Sequence, residues 1–262
     1  MTISTIMRSK TAKKLIKVLL AIAFWAVVWE AASFLISDNL KMFLPSPVIV
    51  VNTFFRLFGK STFWAAVFYS FLRVFEGFAL GVVCGIIAGI LTGRLKAFDI
   101  ILSPAMQVIR AVPVVSFIIL AFLFIRVDIL PIVVCMFMVM PIVWQTVNDE
   151  LVGFDKGINE MAEVFKVKGF KKLLFVTVPT VSDAVISTIL SGAGLAWKSG
   201  IATEVLCAPA VSIGKSLLKA KNLLNFDEVY AFTLTVIILS MVFEFLLKYL
   251  YSRRKARRIG NG

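Results

Sequence analysis

A chain of 262 residues that is 60% hydrophobic and 16% charged, with a mean hydropathy of +0.95, is too apolar for a soluble globular domain, whose apolar share is about 45–50%. The complete lack of histidine excludes His-based triads, H-E-x-x-H zinc sites and haem ligation by imidazole, and the isolated Cys84, Cys135 and Cys207 exclude a disulfide framework. The formal charge of +13 is scattered over loops and termini, which fits anionic lipid heads rather than nucleic acid.

In lipid, backbone polar groups must be satisfied within the spanning segment, which leaves helices or closed barrels. Barrel strands alternate polar and apolar residues, and the apolar runs here do not. The expectation is an all-α membrane protein of about six transmembrane helices, at roughly 15–36, 66–92, 101–125, 129–147, 181–203 and 229–250. The leader, residues 1–14, is basic through Arg8, Lys10, Lys13 and Lys14. The apolar run at 15–36 exceeds the about 7–15 residues of a signal-peptide core, so it reads as a retained first span. Residues 37–65 read as an outer loop.

The second span opens the core, expected over 66–250. It carries Gly77, Gly81, Gly85, Gly89 and Gly93 at every fourth position. Glycine costs about 1 kcal/mol relative to alanine inside a helix in water. In lipid, where no hydrophobic drive joins helices, a face without side chains lets a neighbouring helix come close enough for van der Waals contact. The stripe reads as a packing face rather than a pore-lining groove, and not as a phosphate loop, which needs a strand before it. Further along, Pro104, Pro113, Pro131 and Pro141 fall in spans three and four as static kinks or hinges.

Between spans four and five lies a long inner loop, 150–180. Ile158, Met161, Ala162 and Phe165 share one helical face there, apart from Glu160, Glu163 and Lys166. Gly169 breaks the pattern and Pro179 stops the next piece. The loop reads either as an interfacial helix or as a short helix that docks into a cytoplasmic partner. Ionisable groups within spans are functional candidates by default. Arg73 and Glu76, three apart on one helix, suit a structural ion pair. Arg110, Lys198 and Glu204 are candidates for the translocation path, with a structural pair between Lys198 and Glu204 as the alternative. Gly214-Lys215-Ser216 imitates the end of a Walker A loop, but Pro209 stands where its first glycine is required, so the chain has no visible ATPase site. The tail, 251–262, is basic.

The leader, Arg94, Lys96, Lys156–Lys172 and the tail all fall on one side. The positive-inside rule therefore places both termini in the cytoplasm, and Lys215, Lys219 and Lys221 on the outer side run against that bias.

Glu163, six positions before Gly169, resembles the E-A-A-x-x-x-G motif of ABC importer permeases. "LPSP" (44–47), "SFLRVFEGFALG" (70–81), "SPAMQVIRAVP" (103–113), "GLAWKSGIATEVL" (194–206) and the outer "SIGKSL" (212–217) are similar to the nitrate/sulfonate/taurine-type permeases of that superfamily. The ordered set covers nearly everything from Leu44 onward. Val164 and Phe165 replace the two alanines of the motif, and the spacing from Gly169 to Pro179 is shorter than in the common pattern. The resemblance implies a type I ABC importer permease-like bundle in the plasma (inner) membrane. It implies a second permease copy, a dimeric ABC ATPase and an extracytoplasmic binding protein as partners, besides membrane lipid, and no enzymatic activity, cofactor or metal of its own. Glu160, Glu163, Val164, Phe165 and Gly169 would couple to the ATPase. The expected substrate is a small anion such as nitrate, sulfonate, taurine or bicarbonate. The alternatives are an uncharged or cationic vitamin precursor carried in the same way, or a secondary carrier without an ATPase.

Overall fold

The computed structural model describes the backbone of residues 3–37, 40–153 and 178–260. Its elements there are α1 (Ile3–Leu35), α2 (Pro47–Phe58), α3 (Ser61–Arg94), α4 (Lys96–Ala111), α5 (Val114–Phe122), α6 (Leu130–Val152), α7 (Val178–Cys207), α8 (Ile213–Asn222) and α9 (Phe226–Gly260). The expected coupling residues Glu160, Glu163, Val164, Phe165 and Gly169 lie outside the described residues.

The glycine stripe of α3 lies on α6. A Cβ added at Gly81 would sit 2.9 Å from the carbonyl oxygen of Met136, at Gly85 2.7 Å from that of Met140, and at Gly89 2.6 Å from the Cβ of Val147. Gly77 meets Ile132 and Cys135 in the same way, and Gly93 meets Leu151. Partner numbers rise together on both helices, so α3 and α6 run parallel with their backbones in near contact.

Parallel neighbours oblige the chain between them to return across the bundle. The sequence suggests one span over 101–125, and here the structure differs. The return is made by α4 and α5, two helices bent by 103° at a short break. Pro113 causes it: proline has no N–H to donate and drives the residue before it out of the helical region, and Val112 is extended at φ −70°, ψ 127°. The nine residues of α5 are about 14 Å long and cannot cross a bilayer alone. Pro104 and Pro141 stay inside continuous helices, and Pro131 sits in the first turn of α6, where a missing N–H costs nothing.

α7 runs opposite to this pair. Thr146 and Thr188 share a hydrogen bond of 2.9 Å, and Gly200 lies against Val74 and Cys135. α9 closes the bundle, parallel to α3, with Phe63 beside Phe232 and Phe71, Phe75 and Phe78 around Phe243. Trp197 donates from Nε1 to the carbonyl of Val236 at 3.0 Å. α1 lies at the margin, meeting α9 through Trp29 and Tyr230 at 5.5 Å and tied by a 2.8 Å bond from the Ser33 hydroxyl to the carbonyl of Leu44. These directions place residues 3 and 260 at the same end of the bundle as Gly153 and Val178.

The opposite end is more structured than its sequence suggests. Residues 37–65, expected as a loop, contain α2, which Ser46 caps from the side chain and Pro47 begins. The connection from α7 to α9 contains α8. Both helices are too short to register as spans, and only Ser46 with Pro47 and the Ser212 cap mark where they start.

The glycine contact yields a sharp expectation. Gly85→Ala forces a methyl group against the Met140 carbonyl and the Val143 side chain, and overpacking of this kind costs about 1–3 kcal/mol. Gly192→Ala, whose Cβ would make an ordinary contact with Val139 at 3.5 Å, carries no such penalty and gains alanine's helix preference. Thermal unfolding of the detergent-solubilised protein, followed by size exclusion, should show a lowered midpoint for Gly85→Ala and an unchanged or raised one for Gly192→Ala.

Candidate functional site

The densest polar cluster lies where α8 meets α3 and α7. Glu204, near the end of α7, is 0% exposed. Its Oε2 accepts from the Ser70 hydroxyl at 2.6 Å and from the Gly214 amide at 3.3 Å, and its Oε1 accepts from Arg73 Nη1 at 3.2 Å. Ser70 Oγ in turn accepts from the Ile213 amide at 2.9 Å. The first amides of a helix have no partner within it and carry partial positive charge. At α8 the Glu204 carboxylate, Ser70 and the Ser212 cap, which accepts from Lys215 N at 3.0 Å, satisfy three of them.

Gly214 is required by the close approach. A Cβ there would overlap the backbone and Cβ of Glu204 and come within 2.5 Å of Val205 N. Arg73 completes the clamp: Nη1 also donates to the carbonyl of Val211 at 2.9 Å, and Nη2 lies 4.0 Å from Asp128. One guanidinium thus links α3, α7, the stretch leading into α8 and the turn before α6. Two residues in left-handed conformation, Ala208 at φ 50° and Leu224 at φ 58°, bracket the segment.

This geometry corrects two expectations. Arg73 pairs with Glu204, not Glu76, because a fully buried carboxylate demands compensation and an exposed one does not. Glu76 is exposed on the side of α3 away from the glycine stripe. Lys198 does not pair with Glu204 either. It is exposed on α7, on one helical face with Ser187, Ser191 and Ala202. Ser191 satisfies its hydroxyl on the Ser187 carbonyl at 3.1 Å, and Lys198 has no ion pair among the described residues. Arg110 is exposed in the last turn of α4, just before the break at Pro113, and is likewise unpaired among the described residues. The structure therefore does not gather Arg110, Lys198 and Glu204 into one site. Glu204 is part of the bundle wall, whereas the two cations lie on open faces.

The open faces differ in kind. That of α3 carries Leu80, Val83 and Ile87, each 47–54% exposed, which suit lipid, with the exposed Glu76 one turn before Leu80 on the same face. That of α7 carries serine, lysine and alanine, a polar stripe that lipid would penalise. The helical spacing of Ser187, Ser191 and Lys198 is the sequence signal that reading single charged residues overlooks. Ser70 and Asp128 gave no such signal, since nothing local marks either as a partner of Arg73.

Residues 81–256 match the family model described as the binding-protein-dependent transport system inner membrane component. A nitrate import permease of Synechocystis is 27% identical over 91% of this chain and 89% of its own length. A provisionally named ABC transporter permease of Methanocaldococcus jannaschii is 24% identical over 87% and 86%. A provisionally named aliphatic sulfonates transport permease of Bacillus subtilis is 27% identical over 72% and 68%.

Removing one partner of a buried ion pair leaves the other uncompensated, at a cost of about 3–5 kcal/mol. Arg73→Leu should therefore lower the melting midpoint of the purified protein strongly, while Glu76→Gln leaves it in place. Equal midpoints for the two variants would dissolve the clamp.

Proposed function

The chain belongs to the family of binding-protein-dependent transport system inner membrane components, and from that membership we propose that its translocation path runs along the polar face of α7 and carries a small anion. The protein is the permease subunit of an ABC importer, a multi-pass inner-membrane protein that works with a partner ATPase and a substrate-binding protein. It is not itself an enzyme, and it is not a self-standing secondary carrier.

The observation that carries the proposal is Lys198, an exposed ammonium within a spanning helix, on the same face as Ser187 and Ser191. A charge with no ion pair among the described residues is tolerated at that depth where it meets water or a counter-ion. Relatives named for nitrate and for aliphatic sulfonates support an anion as that counter-ion. Two copies of the chain enclose the path in this reading, with Arg110 at the bend of α4 as a second cation beside it and Glu204 holding the wall.

The domain plan follows: a leader at 1–14, a first span at 15–36, an outer segment at 37–65, the permease core at 66–250 with its coupling loop at 150–180, and a tail at 251–262. The basic leader, loop and tail support a cytoplasmic location for both termini. The loop, with Glu160, Glu163, Val164, Phe165 and Gly169, seats on the ATPase. When ATP draws the ATPase pair together the loop moves with it, and the rigid contact between α3 and α6 carries the movement through the bundle. The substrate shifts the balance between inward and outward access only by its differential affinity for the two states.

Three variants test the parts separately. Lys198→Gln removes a charge-assisted contact worth about 1.5–3 kcal/mol, so uptake of nitrate or an alkanesulfonate should fall roughly ten-fold or more while membrane abundance holds. Uptake at the parental rate would favour an uncharged substrate. Gly169→Asp should abolish co-purification of the ATPase and uptake together; retention of both would leave the loop as an interfacial helix. Lys171→Cys, in a background without native cysteines, should react with an impermeant thiol reagent only after the cells are opened, and labelling in intact cells would reverse the orientation.

A further inference from the structure

α1 stands apart from the rest of the bundle, and almost all of its apolar span, Ile16–Leu35, is exposed. Between its last turns, the stretch leading into α2 and the start of α9 lies a cavity of about 420 Å³. That volume falls within the roughly 300–1,000 Å³ of small-molecule sites. None of its lining residues comes from α7, so it is separate from the face that carries Lys198. The frame is fixed by the bond from Ser33 to Leu44 and by the Phe43 and Phe226 rings, 4.9 Å apart.

Three polar side chains from different parts of the chain line this cavity: Glu30 from α1, Lys41 from the stretch before α2, and Asn225 from the turn before α9. The Glu30 and Asn225 side chains make no hydrogen bond or ion pair among the described residues. The other lining carboxylate, Asp227, spends its Oδ2 on Thr53 at 2.9 Å and on Arg56 at 3.3 Å. Glu30 is therefore the acid with its acceptors still to offer. It lies five residues before the end of the span, which is about 8 Å along a helix. A carboxylate at that depth is costly and calls for a cation.

The walls indicate what brings that cation. Phe34 is 80% exposed and Ile49 51%, and both line the cavity, so its rim is apolar and faces the lipid around α1. A soluble amine would have to leave water to reach Glu30, whereas a phospholipid head arrives with its tails already in the apolar zone. The carboxylate favours a primary ammonium, with three N–H donors, over a quaternary one, with none. The adjoining phosphate needs donors in turn, and the Asn225 amide and the Lys41 ammonium supply them. We infer that the cavity between α1, α2 and α9 is a site for a phospholipid with a primary-amine head, such as phosphatidylethanolamine. Glu30 holds the ammonium, and Asn225 and Lys41 hold the phosphate. The lipid fills the gap beside α1 and fastens that helix to the bundle. The inference requires that α1 spans the membrane, and it is independent of the substrate and of which end faces the cytoplasm.

The test uses the full chain, purified in detergent, stripped of lipid and titrated with phosphatidylethanolamine, phosphatidylcholine or phosphatidylglycerol of identical acyl chains. Native mass spectrometry reads the lipid retained. Phosphatidylethanolamine should half-saturate at a concentration roughly ten-fold below the other two, the gain expected of a charge-assisted hydrogen bond, and saturate at one lipid per chain. Glu30→Gln should remove the preference and Glu30→Asp keep part of it. Glu76→Gln, which loses an exposed carboxylate of α3 instead, should keep all of it. Equal retention of the three lipids by the parent would overturn the site and leave the cavity to water or to a second copy of the chain. Preference for phosphatidylcholine would assign the head to the phenylalanine rings, and preference for phosphatidylglycerol would assign it to the lysine; either overturns the role of Glu30, as would a preference that survives Glu30→Gln. Displacement of the lipid by an equal concentration of free phosphoethanolamine would make the ligand a soluble amine and overturn the lipid.

Discussion

The bundle depends on the absence of side chains along one face of α3. In water, burial of apolar surface would hold α3 to α6 whatever the detail of the contact. In lipid that drive vanishes, and close van der Waals approach must replace it. Five glycines bring the two backbones into contact over most of the depth of the membrane, and they do so with the helices parallel. That direction has consequences. A parallel pair cannot be joined by a tight turn, so the chain must cross back between them, and it does so through the only broken passage among the described helices, at Val112 and Pro113. The break leaves Arg110 on an open face beside the bundle rather than inside a straight span.

The second constraint is electrostatic. Glu204 is enclosed on all sides, and a buried carboxylate persists only where charge and hydrogen bonds surround it. Arg73, Ser70 and the first amides of α8 supply them. Two demands are met by one arrangement: the carboxylate needs donors, and a helix start needs acceptors. As a result α8 is not a loose excursion between α7 and α9 but part of the wall. Its first turn is bonded to both α3 and α7.

The spans, their number and the role of the glycine stripe could be read from composition and period because each rests on a local property of the chain. Where the reading departed from the structure, the cause was a contact distant in sequence. Arg73 seemed matched to Glu76 three residues away, yet its partner lies 131 positions on. A pair between Lys198 and Glu204 was the structural alternative, yet six residues along α7 put them on different faces, one exposed and one buried. The span at 101–125 looked continuous because hydropathy averages over Pro113. The polar face of α7 was present in the sequence as Ser187, Ser191 and Lys198, but serine alone raises no signal until the neighbouring faces are known to be covered. The short helices α2 and α8 carry only local start signals, Ser46 with Pro47 and Ser212.

The central claim is that the serine and lysine face of α7 borders water, whereas the face of α3 borders lipid from Leu80 onward, past the exposed Glu76. Single cysteines placed in a background free of native ones would test it: Ser187→Cys, Ser191→Cys, Lys198→Cys and Ala202→Cys on α7, and Leu80→Cys, Val83→Cys and Ile87→Cys on α3. Reaction with a small, charged thiol reagent in membranes holding the assembled transporter should be fast at all four positions of α7, slowed there by nitrate or an alkanesulfonate with the binding protein, and negligible on α3. Slow reaction along α7, or equal reaction on both helices, would contradict the account.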